Sequence, residues 1–162
     1  MKRFALPVVL LALLGAFAFW WFSPVQIVKR LTQTMLETLT LEAGSGRSGR
    51  QMGVYSINAL LAPEVELKSA DIDRANGTFE RSEIESAFSW LCEQAKQTRF
   101  DLKDFRSVKI TGDQADVAFS AEVLVELPNA RLAEGLYQVE FRWLREDETW
   151  RLSRAVWTAA RP

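Results

Sequence analysis

The sequence predicts an α+β domain behind one apolar N-terminal segment. Three amphipathic helices come first and pack on one face of an antiparallel sheet. Three observations lead to this reading. An uncharged run fills most of the first 24 residues, just after Lys2 and Arg3. The stretches 25–43, 55–61 and 81–96 repeat apolar residues at three- and four-residue spacing. From residue 100 onward the apolar period falls to two, most clearly in Asp116–Leu127.

The N-terminal run, Phe4 to Phe22, carries no charge. At about 1.5 Å per residue it spans roughly 28 Å, close to the hydrocarbon core of a bilayer. It ends in Phe19-Trp20-Trp21-Phe22, and tryptophan favours the membrane–water boundary. Pro24 marks its limit. Residues 4–22 therefore read as a retained single-pass anchor, with 1–24 as one unit and 25–162 as the domain. A cleaved signal sequence is the alternative, because Ala16-Phe17-Ala18 has the small-x-small pattern. The apolar run continues past that site through four aromatics. Lys2 and Arg3 favour a cytoplasmic N-terminus, although Lys29 and Arg30 soon follow. The domain is thus expected in the periplasm, held at a bacterial inner membrane.

Val25 to about Ala43 is the first predicted helix, with Ile27, Val28, Leu31, Met35 and Leu39 facing inward. Gly44-Ser-Gly-Arg-Ser-Gly-Arg50 reads as a flexible basic loop. No strand precedes it and no Gly-Lys-Ser/Thr closes it, which excludes a phosphate loop. Arg47 and Arg50 are left to solvent or to nearby anionic lipid. Tyr55 to Leu61 is a second short helix ended by Ala62-Pro63, and Val65-Glu-Leu-Lys68 alternates as a short strand. Asp71 to Gly77 is polar and turn-rich. Arg81 to Lys96 forms the third helix, with Ser82 and Glu85 spaced as a capping box. Its apolar stripe is Ile84, Ala87, Phe88, Leu91, Cys92 and Ala95, with Trp90 at the edge.

Phe100 to Ile110 is then one strand or an interrupted pair, and Gly112-Asp113 turns into the long strand 116–127. Val117, Phe119, Ala121, Val123, Val125 and Leu127 form its inward row, and Ser120, Glu122 and Glu126 its outward one. Pro128 to Gly135 is a longer hairpin connection. In 136–144, Tyr137, Val139, Phe141 and Trp143 face inward and Gln138, Glu140 and Arg142 outward. Glu146-Asp-Glu148 makes the last turn and Trp150 to Trp157 the last strand. There is no internal repeat and no second domain.

Composition narrows the function classes. Net charge is −1, and without Lys2 and Arg3 the chain has 18 basic against 21 acidic residues, with no basic stripe. Nucleic acid is not an expected partner. The single cysteine, Cys92, allows no intramolecular disulfide and reads as a buried structural thiol. No histidine is present, which removes the commonest general base and the commonest metal ligand. Asp71-Ile-Asp73 begins like a calcium loop but lacks the glycine and terminal glutamate at the required spacing. Neither a metal nor a cofactor is expected.

Three stretches carry a family resemblance: Ile57-Asn-Ala-Leu-Leu-Ala-Pro-Glu-Val-Glu-Leu67, Val108-Lys-Ile-Thr-Gly-Asp-Gln-Ala-Asp-Val117, and Val139-Glu-Phe-Arg-Trp-Leu-Arg-Glu-Asp-Glu-Thr-Trp-Arg-Leu152. Their order and spacing resemble the nuclear transport factor 2-like superfamily, which includes polyketide-cyclase-like domains, over roughly residues 25–160. The resemblance implies a curved sheet wrapping its helices into a cone with a pocket at the wide end. It does not fix function, because the superfamily holds enzymes, binding modules and assembly factors. Steroid-isomerase-like members use a carboxylate base on the strand after the second helix. Here that strand turns apolar Val65 and Leu67 inward and Glu66 outward, which leaves Tyr55, Asp71 and Asp73 as conceivable polar groups. Dehydratase- and cyclase-like members typically involve histidine, which is absent. The Asp-Arg-Asp group of epoxide-hydrolase-like members is not supplied by Glu140 and Arg142 on the outward row. A short anchor followed directly by this fold is similar in plan to the inner-membrane assembly component of type IV secretion systems, without its longer cytoplasmic tail.

The expected function is therefore a membrane-anchored, non-enzymatic envelope domain that binds a partner protein or a small apolar ligand. An isomerase- or cyclase-like enzyme acting on an apolar substrate is the alternative. The candidate ligand pocket comprises Tyr55, Phe119, Tyr137, Phe141 and Trp143. The outward row, with Glu122 or Glu126 facing Arg142, is the candidate surface for a partner or a second copy.

Overall fold

Helix and strand alternate along the chain in the order α1 (Pro24–Leu39), α2 (Arg47–Leu60), β1 (Leu61–Ser69), β2 (Gly77–Glu80), α3 (Arg81–Gln94), β3 (Gln97–Thr111), β4 (Gln114–Leu127), β5 (Ala130–Glu146) and β6 (Thr149–Ala159). The structure is a computed structural model that describes residues 14–15, 17, 20–44, 46–70, 72 and 75–160, with the backbone alone at 47–49 and 51. The predicted anchor over 4–22 lies largely outside the described residues, as do Asp71 and Asp73. Among the described residues no helix is long and apolar enough to cross a membrane.

The α+β class holds, with two corrections. The third helix does not precede the sheet: β1 and β2 pair as a hairpin before α3 begins. Four-residue β2 is mostly exposed, so it carries no apolar alternation to reveal it. The sheet is also mixed. Its strand order is β2-β1-β6-β5-β4-β3, and β1 pairs with β6 in parallel while every other pair is antiparallel. The chain leaves β1 through β2 and α3, builds the β3–β4–β5–β6 meander, and closes the last strand against the first.

The helices cover one face. α1 lies along β3 and touches β4, α2 and α3 pack on each other, and α3 reaches β1 and β2. At its C-terminal end α1 is tied to β3 through Leu41 and Thr98, which exchange backbone bonds of 2.9 and 3.0 Å. The Thr98 hydroxyl adds a bond from Leu41 N–H at 2.9 Å and one to Leu39 O at 2.5 Å. Beneath the helices Val28, Met35, Ile57, Leu61, Val65, Phe88, Val117, Phe119, Trp143 and Leu152 belong to one buried cluster. Removing that apolar surface from water is the main stabilising contribution.

Several local expectations change. The segment 44–50 is not all loop, because α2 starts at Arg47. Arg50 Nη1 donates to the carbonyls of Cys92 at 2.7 Å and Ala95 at 2.8 Å. It thereby satisfies the C-terminal end of α3, where carbonyls lack helical partners. The capping box of α3 is Glu80 with Glu83, not Ser82 with Glu85. The Glu80 N–H donates to the Glu83 carboxylate at 2.8 Å, while Glu85 accepts from Asn58 Nδ2 at 2.6 Å and joins α3 to α2. Trp90 is 53% exposed rather than closing the core. The expected long connection 128–135 is a two-residue turn, since Leu127 already pairs with Ala130.

Candidate functional site

The inward rows bring most of the predicted pocket residues together. Phe119 and Trp143 are fully buried and Phe141 nearly so, while Tyr137 is half-buried. Ring centroids run Phe105–Phe119 at 6.3 Å, Phe119–Phe141 at 5.0 Å and Phe141–Trp143 at 6.1 Å. The aromatics meet edge-to-face or tilted, the geometry their quadrupoles favour, and so fill the space that the rows enclose. Tyr55 does not join them. At about 100° per residue the buried stripe of α2 runs through Val54, Ile57 and Leu60, and Tyr55 falls off it, 85% exposed.

No described carboxylate lies buried on that side. Val65 is fully buried and Leu67 packs against the core, so Glu66 points away from it as the alternation requires. Cys92 is buried, and burial pushes its thiol above the ordinary value. On the inner side, Trp143 Nε1 is buried with no hydrogen-bond partner among the described residues. A shallow groove of about 250 Å³ opens between α1 and β3, lined by Gln33, Leu36, Glu37, Phe100, Asp101 and Leu102.

The outer face is where charged groups are organised. Asp116 stands opposite Arg142, Arg142 opposite Arg154, and Arg154 opposite Glu66. Arg142 Nε donates to Asp116 Oδ1 at 2.7 Å, and Arg154 Nε lies 2.9 Å from Glu66 Oε2. Lys68 closes the row, 3.0 Å from Glu66. Arg142 therefore does not pair with Glu122 or Glu126, as the outward alternation suggested. Glu122 is held by Lys103 at 2.6 Å, and Glu126 by Lys96 at 3.1 Å and Gln97 at 2.7 Å.

Registry explains the exchange of partners. Because Leu127 pairs directly with Ala130, Glu122 faces Leu136 and Glu126 faces Arg131, and Arg142 falls far along the ladder; a bulge between Val125 and Glu126 then sets the last residue of register, without which Asp116 would face Phe141. Arg154 and Lys68 escaped the sequence reading because nothing local joins β1 to β6. The hydrogen bond from Lys68, with the charges of Arg154 and Arg142 beside it, holds the Glu66 carboxyl below its ordinary value. Burial alone would raise Asp116, but the bonds from Arg142 and Gln114 outweigh it and the carboxyl is also lowered.

Between these ion pairs the outer face is less charged. Ala118, Ser120, Leu124 and Val156 are half-buried or buried there, and Leu136 is 44% exposed. Gln138 stands opposite Ser120, and its Oε1 is buried without a hydrogen-bond partner. Small and apolar groups within a charged border are how a non-obligate protein interface is built.

Comparison with known proteins agrees at the level of fold. No protein-family model matches the sequence, and comparison with curated proteins returns no relative. Solved structures do match. An NTF2-like protein from Cytophaga hutchinsonii is 15% identical, with a TM-score of 0.65 over 86% of this chain and 100% of that one. An NTF2-like protein of unknown function from Pseudomonas putida is 14% identical, with a TM-score of 0.61 over 85% and 87% of the two chains. An uncharacterized protein with a cystatin-like fold from Caulobacter vibrioides is 10% identical, with a TM-score of 0.63 over 83% and 88%. At these identities the likeness speaks to architecture alone, and by that measure the chain has the nuclear transport factor 2-like fold.

Proposed function

We propose that this chain is a tethered interaction domain that docks a partner protein on the outer face of its sheet. In this reading the apolar run 4–22 holds it at a bacterial inner membrane with the domain in the periplasm. The observation that carries the docking reading is the contrast between the two sheet faces. The inner face is occupied by helices and by the Phe105–Phe119–Phe141–Trp143 rings. The outer face presents small and apolar groups inside a border of ion pairs held at 2.6–3.1 Å. The exposed aromatics Phe17, Trp20, Trp21 and Phe22 support the tether, since Trp21 also stacks under Arg30 at 4.6 Å. That arrangement suits an interface between apolar and anionic layers.

The test is site-specific photo-crosslinking in intact cells, with the photoreactive residue at Ala118, Glu140 or Val156. A discrete crosslinked protein from these positions, and none from Tyr55 or Trp90 on the helical side, is expected. Crosslinks confined to the helical side would overturn the docking reading. A reporter fused after Pro162 tests orientation, and activity only in the cytoplasm would overturn the periplasmic placement.

The small-apolar-ligand reading has less support, because Trp143 and Phe119 are fully buried and the rings around them occupy the space between the rows. The isomerase-like reading has less support, because Tyr55 stands apart from the aromatic row and Glu66 is turned outward.

A further inference from the structure

The outer row has a feature that sheet solvation does not require. Across the strands it reads Lys109, Asp116, Arg142, Arg154 and Glu66, each in register with the next, with Lys68 beside Glu66. Two arginines are thus direct neighbours, and a ladder of alternating sign would have placed an acid at one of them. Asp116 accepts a hydrogen bond from Arg142 Nε at 2.7 Å, while Glu66 lies 2.9 Å from Arg154 Nε as an ion pair without a hydrogen bond, so that buried N–H is left without an acceptor among the described residues. Guanidinium has further N–H donors on Nη1 and Nη2. No described residue accepts from those atoms in either arginine. The side chains are 36% and 30% exposed, so they are held at the base and reachable at the tip. Glu140, the next outward residue on β5, is exposed and forms no ion pair among the described residues, so the chain's own acid does not close the pair.

We infer that Arg142 and Arg154 together bind a carboxylate of an aspartate or glutamate on the docking partner. The planar guanidinium fork matches a carboxylate in two-point contact, and the hydrogen bond to Asp116 and the ion pair with Glu66 hold the two side chains in place beforehand. Phosphate would also fit the fork, but a dianion would meet Asp116, Glu66 and Glu140 around it. A monoanion bears less of that repulsion. The inference rests on the docking reading and names the chemistry of its partner at the same face.

The probe is a fluorescent hexaglutamate peptide, titrated by anisotropy into the full chain in non-ionic detergent at fixed ionic strength. Binding is expected, with Arg142→Gln and Arg154→Gln each weakening it about tenfold, the equivalent of one charge-assisted bond. Lys103→Gln, which touches only the Glu122 pair, should leave it unchanged. Urea midpoints guard against a folding artefact: Arg142→Gln and Arg154→Gln should lose binding while their midpoints stay close to that of Lys103→Gln, which also breaks one surface ion pair. Equal binding by the Arg142→Gln/Arg154→Gln double variant would overturn the inference, as would displacement by inorganic phosphate at lower concentration than by acetate. An outer-face crosslink that survives the double variant would also overturn it while leaving the docking reading intact. Hexaglutamate binding by a native chain that yields no such crosslink would instead overturn the docking reading and the partner as source.

Discussion

Arg50 gives the sharpest test of how the helical layer is held, because the same residue in an open loop would contribute almost nothing. Its Nη1 lies 2.7 Å from Cys92 O and 2.8 Å from Ala95 O, at the C-terminal end of α3. A hydrogen bond from a charged donor contributes about 1.5–3 kcal/mol, and a cation at a helix C-terminus adds about 0.3–1 kcal/mol. One nitrogen serves both carbonyls and the side chain is only half-buried, so the two bonds do not count twice. Arg50→Met is therefore expected to cost about 2–3 kcal/mol. Arg50→Lys keeps the charge and one nitrogen and should cost about half as much. Urea denaturation of the full chain in non-ionic detergent reads this directly, followed by fluorescence of Trp143 and Trp150, which are 0% and 5% exposed. A loss below about 0.5 kcal/mol for Arg50→Met, the scatter of ordinary surface substitutions, would refute the capping role and restore Arg50 to solvent.

Other positions give independent checks. Phe119 is fully buried between Phe105 and Phe141, so Phe119→Ala should cost about 3–5 kcal/mol in the same titration. Asp147 and Glu148 both sit in the left-handed region, at φ 46° and 63°. Glu148→Gly should stabilise by about 0.5–1 kcal/mol, the strain relieved less the added freedom of the unfolded glycine; a lower urea midpoint would contradict this. Acid sensitivity follows from four carboxyls, Glu66, Asp116, Glu122 and Glu126, all lowered in the folded chain. Their contribution is fully present above the unfolded values, near 3.8 for Asp and 4.5 for Glu, and is lost as pH falls through the lower folded ones. Urea midpoints should hold from pH 7 to 5 and drop below about 4, with a smaller drop in Asp116→Asn; an equal drop in that variant would exclude Asp116 as a contributor.

Period-two alternation was enough to read β4, β5 and β6 and to sort their residues between faces. Phe119, Phe141 and Trp143 are buried where the rows placed them, because a half-buried strand leaves little choice of face. Elements governed by distant contacts were not legible. Helix α2 starts eight residues before Tyr55 because Arg50 is anchored by α3, far along the chain. Its glycines and serines looked like a linker, so its first turns were missed, and Tyr55 lies at the surface because Val54, Ile57 and Leu60 take the buried stripe. The parallel β1–β6 pairing joins segments separated by most of the domain, and no local pattern encodes it. The outward row was recognised as charged, but its pairings depend on the length of the β4–β5 turn and on one bulge beside it, and alternation alone places neither.

Sheet edges bear on where a partner can attach. A strand added to a free edge would use backbone bonds and need no special side chains. One edge here is β2, only four residues long. The other is β3, fifteen residues long and at first sight the better template. Its ladder is broken twice, between Leu102 and Asp104 and between Phe105 and Ser107, so an incoming strand could not keep register along it. Lys103, Asp104 and Arg106 are exposed in that same stretch, and their charge opposes pairing with another chain. Near its start, β3 is already occupied by Leu41, two residues past the end of α1. With both edges blunted and the inner face under helices, a side-chain-mediated contact on the outer face is the mode of association this sheet favours. Such a contact draws its specificity from groups with donors or acceptors to spare. Among the described residues of that face those groups are the Nη atoms of Arg142 and Arg154, the buried Nε of Arg154 and the buried Oε1 of Gln138. A partner that offers an acid to the arginines and a donor to Gln138 would satisfy both at one approach.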